Sequence, residues 1–240
     1  MISFIFPAYN EAENLRRIPT EVIPVFDALG ETYEIVVVDD GSKDETATVA
    51  ASLGGLVRLV KHERNMGLGA AVRTGIRESR GDLVVTMDSD LTFAPELVQN
   101  LLARYRQGDV DVVSGSPKLA GYAQDVPAWR IWISHLASFI YRIVIGANVR
   151  DVSPIFRLYR RDQLLLLPLT STGFDINAEI LFHLIQQKRR IAEVPAPLTL
   201  RIHGVSKLDY RKEVRRHARL IYRMLKMRVH GMLASKGSRS

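Results

Sequence analysis

Five short apolar runs separated by helix-sized segments constrain this chain more than any other feature. They are Ser3 to Pro7, Tyr33 to Val38, Val57 to Val60, Leu83 to Met87 and Val110 to Ser114. Each is close to continuous rather than alternating. A strand with one face in water alternates apolar and polar residues. A strand covered on both faces does not, and parallel sheets are covered on both faces. The intervening stretches carry helix-start signals. Asn10 with Glu13, and Ser42 with Glu45, have capping-box spacing. Leu68 to Arg80 reads as a helix after a turn at Gly67, and Pro95 with Glu96 marks the first turn of another. The alternation predicts an α/β fold, a single Rossmann-like domain with a mostly parallel sheet flanked by helices and joined by right-handed crossovers.

The second half is less regular. Trp129 to Ile145 predicts an amphipathic or buried helix, Phe156 to Tyr159 a strand and Asn177 to Gln187 a helix. Ile191 to Ile202 reads as extended, broken by Pro195 and Pro197. The expected organisation is one domain over 1–207, a basic amphipathic helix over 208–233 and a disordered tail over 234–240. A length of 240 residues with 47% hydrophobic content suits one large core. There is no cysteine, which excludes thiol catalysis and thiolate metal sites. Met1 to Ala8 has no basic leader, and the apolar stretch Ile131 to Ala147 is interrupted by His135 and Arg142. The expectation is a soluble or peripheral protein, cytoplasmic and at the inner face of the membrane.

The ends of the runs carry the chemistry. In open α/β sheets, ligands bind beyond the carboxyl ends of the strands. Three such ends hold unusual groups: Pro7-Ala8-Tyr9-Asn10-Glu11, Asp39-Asp40-Gly41-Ser42 and Asp88-Ser89-Asp90. In an extended backbone Asp88 and Asp90 would share a face. Two carboxylates that close repel unless a cation intervenes, and hard oxygen ligands suit Mg²⁺ or Mn²⁺ bridging to a diphosphate. A solvated turn would use the same residues. Asp39-Asp40-Gly41-Ser42 fits either a turn and helix cap or a carboxylate that binds base or ribose. Asn65-Met66-Gly67-Leu68-Gly69 either cradles phosphate or lets a helix pack tightly on the sheet. It is not a Walker loop, since no Lys-Ser/Thr pair follows.

These segments, with Gly81 to Pro95, Asp151 to Arg161 and Gly173 to Lys207, resemble family 2 glycosyltransferases. The resemblance covers most of residues 1–210 and points to the dolichol-phosphate mannose synthase and polyprenyl-phosphate branch. It implies a GT-A fold, a nucleotide-sugar donor, inverting transfer and Mg²⁺ or Mn²⁺. By position it puts Pro7, Tyr9, Glu11, Val38 and Asp40 at the base and ribose; Asp39, Gly67 and Ser89, in the same segments, are further donor-binding candidates. Asp88 and Asp90 would serve the diphosphate and metal. It puts Arg130, Arg201 and Lys207 at the phosphate of a polyprenyl phosphate acceptor, catalytic together with Asp90. Such a phosphate is already an anion at neutral pH, so it needs cations rather than a base. Three positions depart from the branch: Pro117 stands where an arginine is usual, Thr92 where a glutamine is, and Ile155 where a glycine precedes Phe156.

A hydroxyl acceptor would need a base, and Asp151, Asp175 and Glu179 are the candidates. A non-catalytic nucleotide-sugar binding module is a further reading. The charge narrows the partners. Net charge is +7, yet residues 201–240 carry a balance of +10 and residues 1–200 one of −3. From Arg211 to Arg228 there are eight Arg and Lys against the one acid Glu213. Val214, Ala218, Ile221, Leu225 and Met232 recur at helical spacing, widened by Tyr222 and Met224. That pattern predicts contact with an anionic membrane surface, with packing on the domain as the alternative. Nucleic acid is disfavoured, because no recognition motif with interleaved aromatics is present.

Overall fold

The structure, a computed structural model, describes residues 1–121, 139–147, 149–199, 202 and 209–237. Its centre is a seven-stranded sheet in the order β3-β2-β1-β4-β6-β5-β7. The strands are β1 (Ile2–Ala8), β2 (Tyr33–Asp39), β3 (Val57–Lys61), β4 (Leu83–Thr86), β5 (Val112–Ser116), β6 (Arg157–Arg160) and β7 (Ile191–Pro195). β1 pairs in parallel with β2 and β4, and β2 with β3. β6 alone runs backwards, antiparallel to β4 and β5, and β5 and β7 are again parallel. The expected mostly parallel sheet is therefore present.

Both faces of the central strands are covered, which is why β1, β2 and β4 are largely apolar, while the edge strands β3 and β7 are half-buried and carry Arg58, Lys61 and Glu193. One face holds Phe4, Phe6, Ile35, Val37 and Val85, and Phe4 stacks on Phe26 at a 3.7 Å centroid separation. The other holds Ile5, Val84 and Tyr159 against the helices Leu68–Glu78 and Ile176–Gln186. A third cluster gathers Tyr141, Val144, Ile145, Leu181 and Phe182 around Leu220 and Met224 of the C-terminal helix.

Several boundaries moved, for local reasons. The fifth strand is Val112–Ser116 rather than 110–114, and β7 stops at Pro195, which has no N–H to continue a ladder. Helices begin at Ala12 and Thr46, with no side-chain cap from Glu11 or Glu45. Asn10 and Ser42 bond to each other's loops instead. The Ser42 hydroxyl accepts from the Asn10 N–H at 2.8 Å, and the Asn10 side chain accepts from the Lys43 N–H at 2.7 Å. Residues 139–145 are helical, and the rest of the expected 129–145 helix lies outside the described residues. The C-terminal helix spans Tyr210–Gly237, past the expected boundary at 233 and into the stretch read as a disordered tail.

Candidate functional site

β2, β1 and β4 are parallel neighbours, so their carboxyl ends emerge along one edge. The three loops singled out in the sequence converge there. After β4 the chain does not stay extended. Asp88-Ser89-Asp90-Leu91 forms a turn closed by the Leu91 N–H to the Asp88 carbonyl at 3.2 Å, with Leu91 at φ +56°. The two carboxylates thus come together through a turn, not through alternation along a strand. Ser89 pins this turn to β1 by donating its hydroxyl to the Pro7 carbonyl at 2.5 Å. Arg17 holds it from outside, donating to the Asp90 carbonyl at 3.3 Å.

The second loop is organised by Asp40, which is buried. Its Oδ1 accepts from the Met66 N–H at 2.9 Å and its Oδ2 from the Gly67 N–H at 2.7 Å. His62 Nδ1 lies 2.7 Å from Asp40 Oδ1, and its Nε2 lies 3.0 Å from the Thr74 hydroxyl. A carboxylate only accepts, so Nδ1 carries the proton. Asp40 is therefore the anchor of the Gly67 turn as well as part of the cavity wall. The glycines of that turn serve close packing. A Cβ on Gly67 or Gly69 would overlap the carbonyl oxygens of Thr172 and Ser171, and the Gly69 N–H donates to Thr172 at 3.0 Å.

One cavity of about 460 Å³ unites these parts. Pro7, Tyr9, Glu11, Asp40, Gly67, Asp88, Ser89 and Asp90 all line it. Of the expected donor residues, Val38 and Asp39 do not. Val38 packs with Ala71 under the Leu68–Glu78 helix, and buried Asp39 accepts from the Ser42 N–H at 3.0 Å. A second cavity of about 240 Å³ shares Asp88 and Phe174 with the first and is lined by Pro117, Lys118, Asp151, Ile155 and Asn177. Among the described residues no group of three or more His, Cys, Asp or Glu forms a closed metal set. Two carboxylates on one turn do fit Mg²⁺ or Mn²⁺, because such ions take one or two carboxylates and complete their shell with phosphate oxygens and water.

Of the candidate bases, Asp175 and Glu179 are not in either of these cavities. Glu179 is buried and fully engaged. Its Oε2 accepts from the Thr170 and Ser171 N–H groups at 3.0 and 2.8 Å, its Oε1 from the Thr170 hydroxyl at 2.9 Å. Asp175 accepts from the Gly173 N–H at 3.0 Å. Asp151 does face the smaller cavity. It accepts from the Ser116 hydroxyl at 2.5 Å and pairs with Lys118 at 3.4 Å. The departures also find places. Pro117 opens a short helical turn, Ile155 packs in the core and the Thr92 N–H donates to Asp90 Oδ1 at 3.0 Å. Arg130, Arg201 and Lys207 lie outside the described residues.

The sequence reading missed the fourth wall of the larger cavity. Asp209, Lys212, Glu213 and Arg216 line it from the start of the C-terminal helix. Glu213 is buried, accepts from the Phe174 N–H at 3.0 Å and pairs with Arg216. A lone acid in a run of cations was the available signal. The helix also has two apolar faces where the sequence suggested one. Leu220 and Met224 are buried against the domain, and His217 Nδ1 lies 2.5 Å from the Tyr141 hydroxyl. Val214, Tyr222, Leu225 and Val229 are exposed, with Ala218 between them. Among the described residues, no helix is long and apolar enough to cross a membrane.

The family model for glycosyl transferase family 2 matches residues 3–165. A dolichol-phosphate mannosyltransferase of Pyrococcus furiosus is 34% identical over 231 residues, covering 94% of this chain and 64% of that protein. An undecaprenyl-phosphate 4-deoxy-4-formamido-L-arabinose transferase of Pseudomonas aeruginosa is 32% identical over 221 residues, covering 86% of this chain and 60% of that one. The chain thus spans less than two thirds of the length of these relatives. Among solved structures, glucosyl-3-phosphoglycerate synthase from Mycobacterium tuberculosis with Mn²⁺, UDP and glucosyl-3-phosphoglycerate aligns with a TM-score of 0.71 at 22% identity, covering 95% of this chain and 79% of that one. The same synthase with Mg²⁺ and UDP gives a TM-score of 0.69 at 21% identity, with 95% and 79% covered. These likenesses carry the fold, which is that of GT-A-like neighbours.

Proposed function

The chain belongs to glycosyl transferase family 2, and from that premise we propose that it transfers a hexose from a GDP- or UDP-sugar to a polyprenyl phosphate, with inversion and with Mg²⁺ or Mn²⁺. One observation carries the reading: a single cavity is lined by Tyr9, Glu11, Asp40 and Gly67 together with the carboxylate residues Asp88 and Asp90. That is the layout a nucleoside diphosphate needs, with a pocket for base and ribose and a place for a cation at the phosphates. The names of the Pyrococcus and Pseudomonas relatives support a polyprenyl phosphate acceptor.

The chain's residues act by holding and orienting. Tyr9 and Glu11 border the base and ribose. Asp40 keeps the Gly67 turn in place through the two amides it binds. Ser89 fixes the carboxylate turn to β1. The bound divalent ion supplies charge neutralisation on the leaving diphosphate. In the reaction the anomeric carbon gains a bond to an acceptor phosphate oxygen and loses its bond to the donor diphosphate on the opposite face. The acceptor is already ionised, so no proton is removed and no base is required. Arg130, Arg201 and Lys207 are the proposed acceptor-phosphate residues, since arginine grips phosphate bidentately and lysine adds a point charge.

The helix's exposed stripe of Val214, Ala218, Tyr222, Leu225 and Val229, flanked by Arg211, Arg215, Arg219 and Lys226, suits the surface of an anionic membrane in which such a lipid resides. A hydroxyl acceptor is the second reading, favoured by Asp151 in the cavity beside Asp88. The test is a product panel. The protein with Mn²⁺ and GDP- or UDP-sugars is offered a polyprenyl phosphate, the matching polyprenol, and sugar alcohols. Glycolipid formed only from the phosphate supports the proposal. Product from a hydroxyl moves the assignment to the second reading, and nucleotide-sugar binding without any product would make the protein a binding module.

A further inference from the structure

The C-terminal helix enters the donor cavity with two cations, Lys212 and Arg216. The described lining of that cavity carries six carboxylates, on Glu11, Asp40, Asp88, Asp90, Asp209 and Glu213, against only Lys212 and Arg216. A phosphate-bearing ligand entering such a wall is repelled unless positive groups meet it. One divalent ion on Asp88 and Asp90 offsets part of that repulsion. Lys212 and Arg216 are the described protein groups able to offset more.

Their placement is specific. Residues four apart on a helix share a face, and these two share the face turned to the cavity. Arg216 is held, not waving. Its Nη1 pairs with Glu213, itself fixed by the Phe174 N–H at 3.0 Å. Its Nη2 stays on the Gly67 side, 3.6 Å from where a Cβ on Gly67 would sit. The turn it borders is the one that Asp40 anchors. Gly173 has no Cβ because the Arg216 side chain and the Glu213 carboxylate occupy that space. The Lys212 side chain is exposed and has no partner among the described residues.

We propose that Lys212 and Arg216 are nucleoside-diphosphate-binding residues, and that the first two turns of the C-terminal helix close the donor site over the ligand. This deepens the proposed function and rests on it. The helix therefore has two tasks on two faces, one at the donor and one at the exposed apolar stripe.

The experiment is equilibrium binding of GDP and UDP in the presence of Mn²⁺ to the full chain, without lipid. The variants are Lys212→Gln, Arg216→Gln and, as a charge-matched control, Arg219→Gln, whose side chain is outside this cavity. Lys212→Gln and Arg216→Gln should each bind the better of the two nucleotides about tenfold more weakly. Arg219→Gln should bind as the wild type does. Lys212→Gln changes an exposed side chain and so tests the idea even if Arg216→Gln loses its fold. Unchanged affinity in Lys212→Gln, or an equal loss in Arg219→Gln, would overturn the inference while leaving the nucleotide site itself standing. A wild-type protein that binds neither nucleotide would overturn both.

Discussion

The Gly67 turn can be dissected by alanine substitutions at Gly67 and Gly69, with Gly30, in the turn before β2, as the reference for strain without crowding. Gly30 sits at φ +67° with nothing within 4 Å of the point where a methyl would sit, so Gly30→Ala meets conformational strain alone. That costs about 1 kcal/mol. Gly69 has ordinary helical φ but no room beside the Ser171 carbonyl, so Gly69→Ala meets crowding alone. Overpacking of this kind costs roughly 1–3 kcal/mol, and alanine's better helix propensity returns up to about 1 kcal/mol. Gly67 combines both problems. Its φ of +94° and ψ of 158° belong to a region kept for glycine, and its Cβ would overlap the Thr172 carbonyl. Gly67→Ala should therefore cost about 4 kcal/mol, from strain of roughly 1–3 and crowding of similar size. Urea denaturation and thermal melting measure it, with about 8–16 °C expected for a domain of this size. Gly67→Ala should also lose nucleotide affinity, because the amide that Asp40 binds moves. If Gly67→Ala were within about 1 kcal/mol of Gly30→Ala, the packing of the Ser171–Phe174 loop against this turn would be wrong.

Three further outcomes follow from other contacts. Burial lowers the pKa of His217, so the folded state takes up its proton at lower pH than the unfolded chain does. Stability from this group is present above the ordinary histidine pKa and is lost as pH falls through that value towards the lowered one. Thermal melting at pH 7.5 and 5.5 should show the fall, and His217→Gln should reduce it; an unchanged slope would refute the assignment. Glu179→Ala leaves the buried Ser171 amide without its acceptor, and the more exposed Thr170 amide without its own, and should cost about 2 kcal/mol in urea. The folded variant should keep its turnover, and a hundredfold loss of turnover at unchanged stability would restore Glu179 as a base. Val214→Glu with Leu225→Glu alters two exposed side chains. Co-sedimentation with anionic vesicles should drop at an unchanged melting temperature, and unchanged co-sedimentation would remove the membrane role.

Most of the sheet was legible because burial on both faces leaves an unmistakable mark: Tyr33 to Val38 and Leu83 to Met87 have no polar side to present to water. The convergence of Tyr9, Asp40 and Asp88 was legible too, since parallel neighbours must end on one edge. What failed was side-chain orientation. Nothing local distinguishes Asp39, turned into its own loop, from Asp40, turned to His62 and the Gly67 amides; both follow the same strand. Glu179 and Asp175 have the spacing of a paired acid and base, but their oxygens serve backbone amides in the 170–173 loop, and that loop is not readable as an amide trap. The helix was read as one-faced because periodicity reports a stripe and not what covers it. Leu220 and Met224 face the domain only because the 139–145 helix and the Ile176–Gln186 helix bring apolar partners from elsewhere in the chain.

The proposed function requires that Asp88 and Asp90 hold a nucleoside diphosphate through a divalent cation. Calorimetric titration of GDP and UDP with and without Mn²⁺, into the wild type and into Asp88→Asn and Asp90→Asn, tests it most directly. Binding of one nucleotide that needs Mn²⁺ and is lost in both variants is the expected result. Equal affinity with the metal removed by a chelator, or undiminished metal-dependent binding in Asp88→Asn, would contradict it.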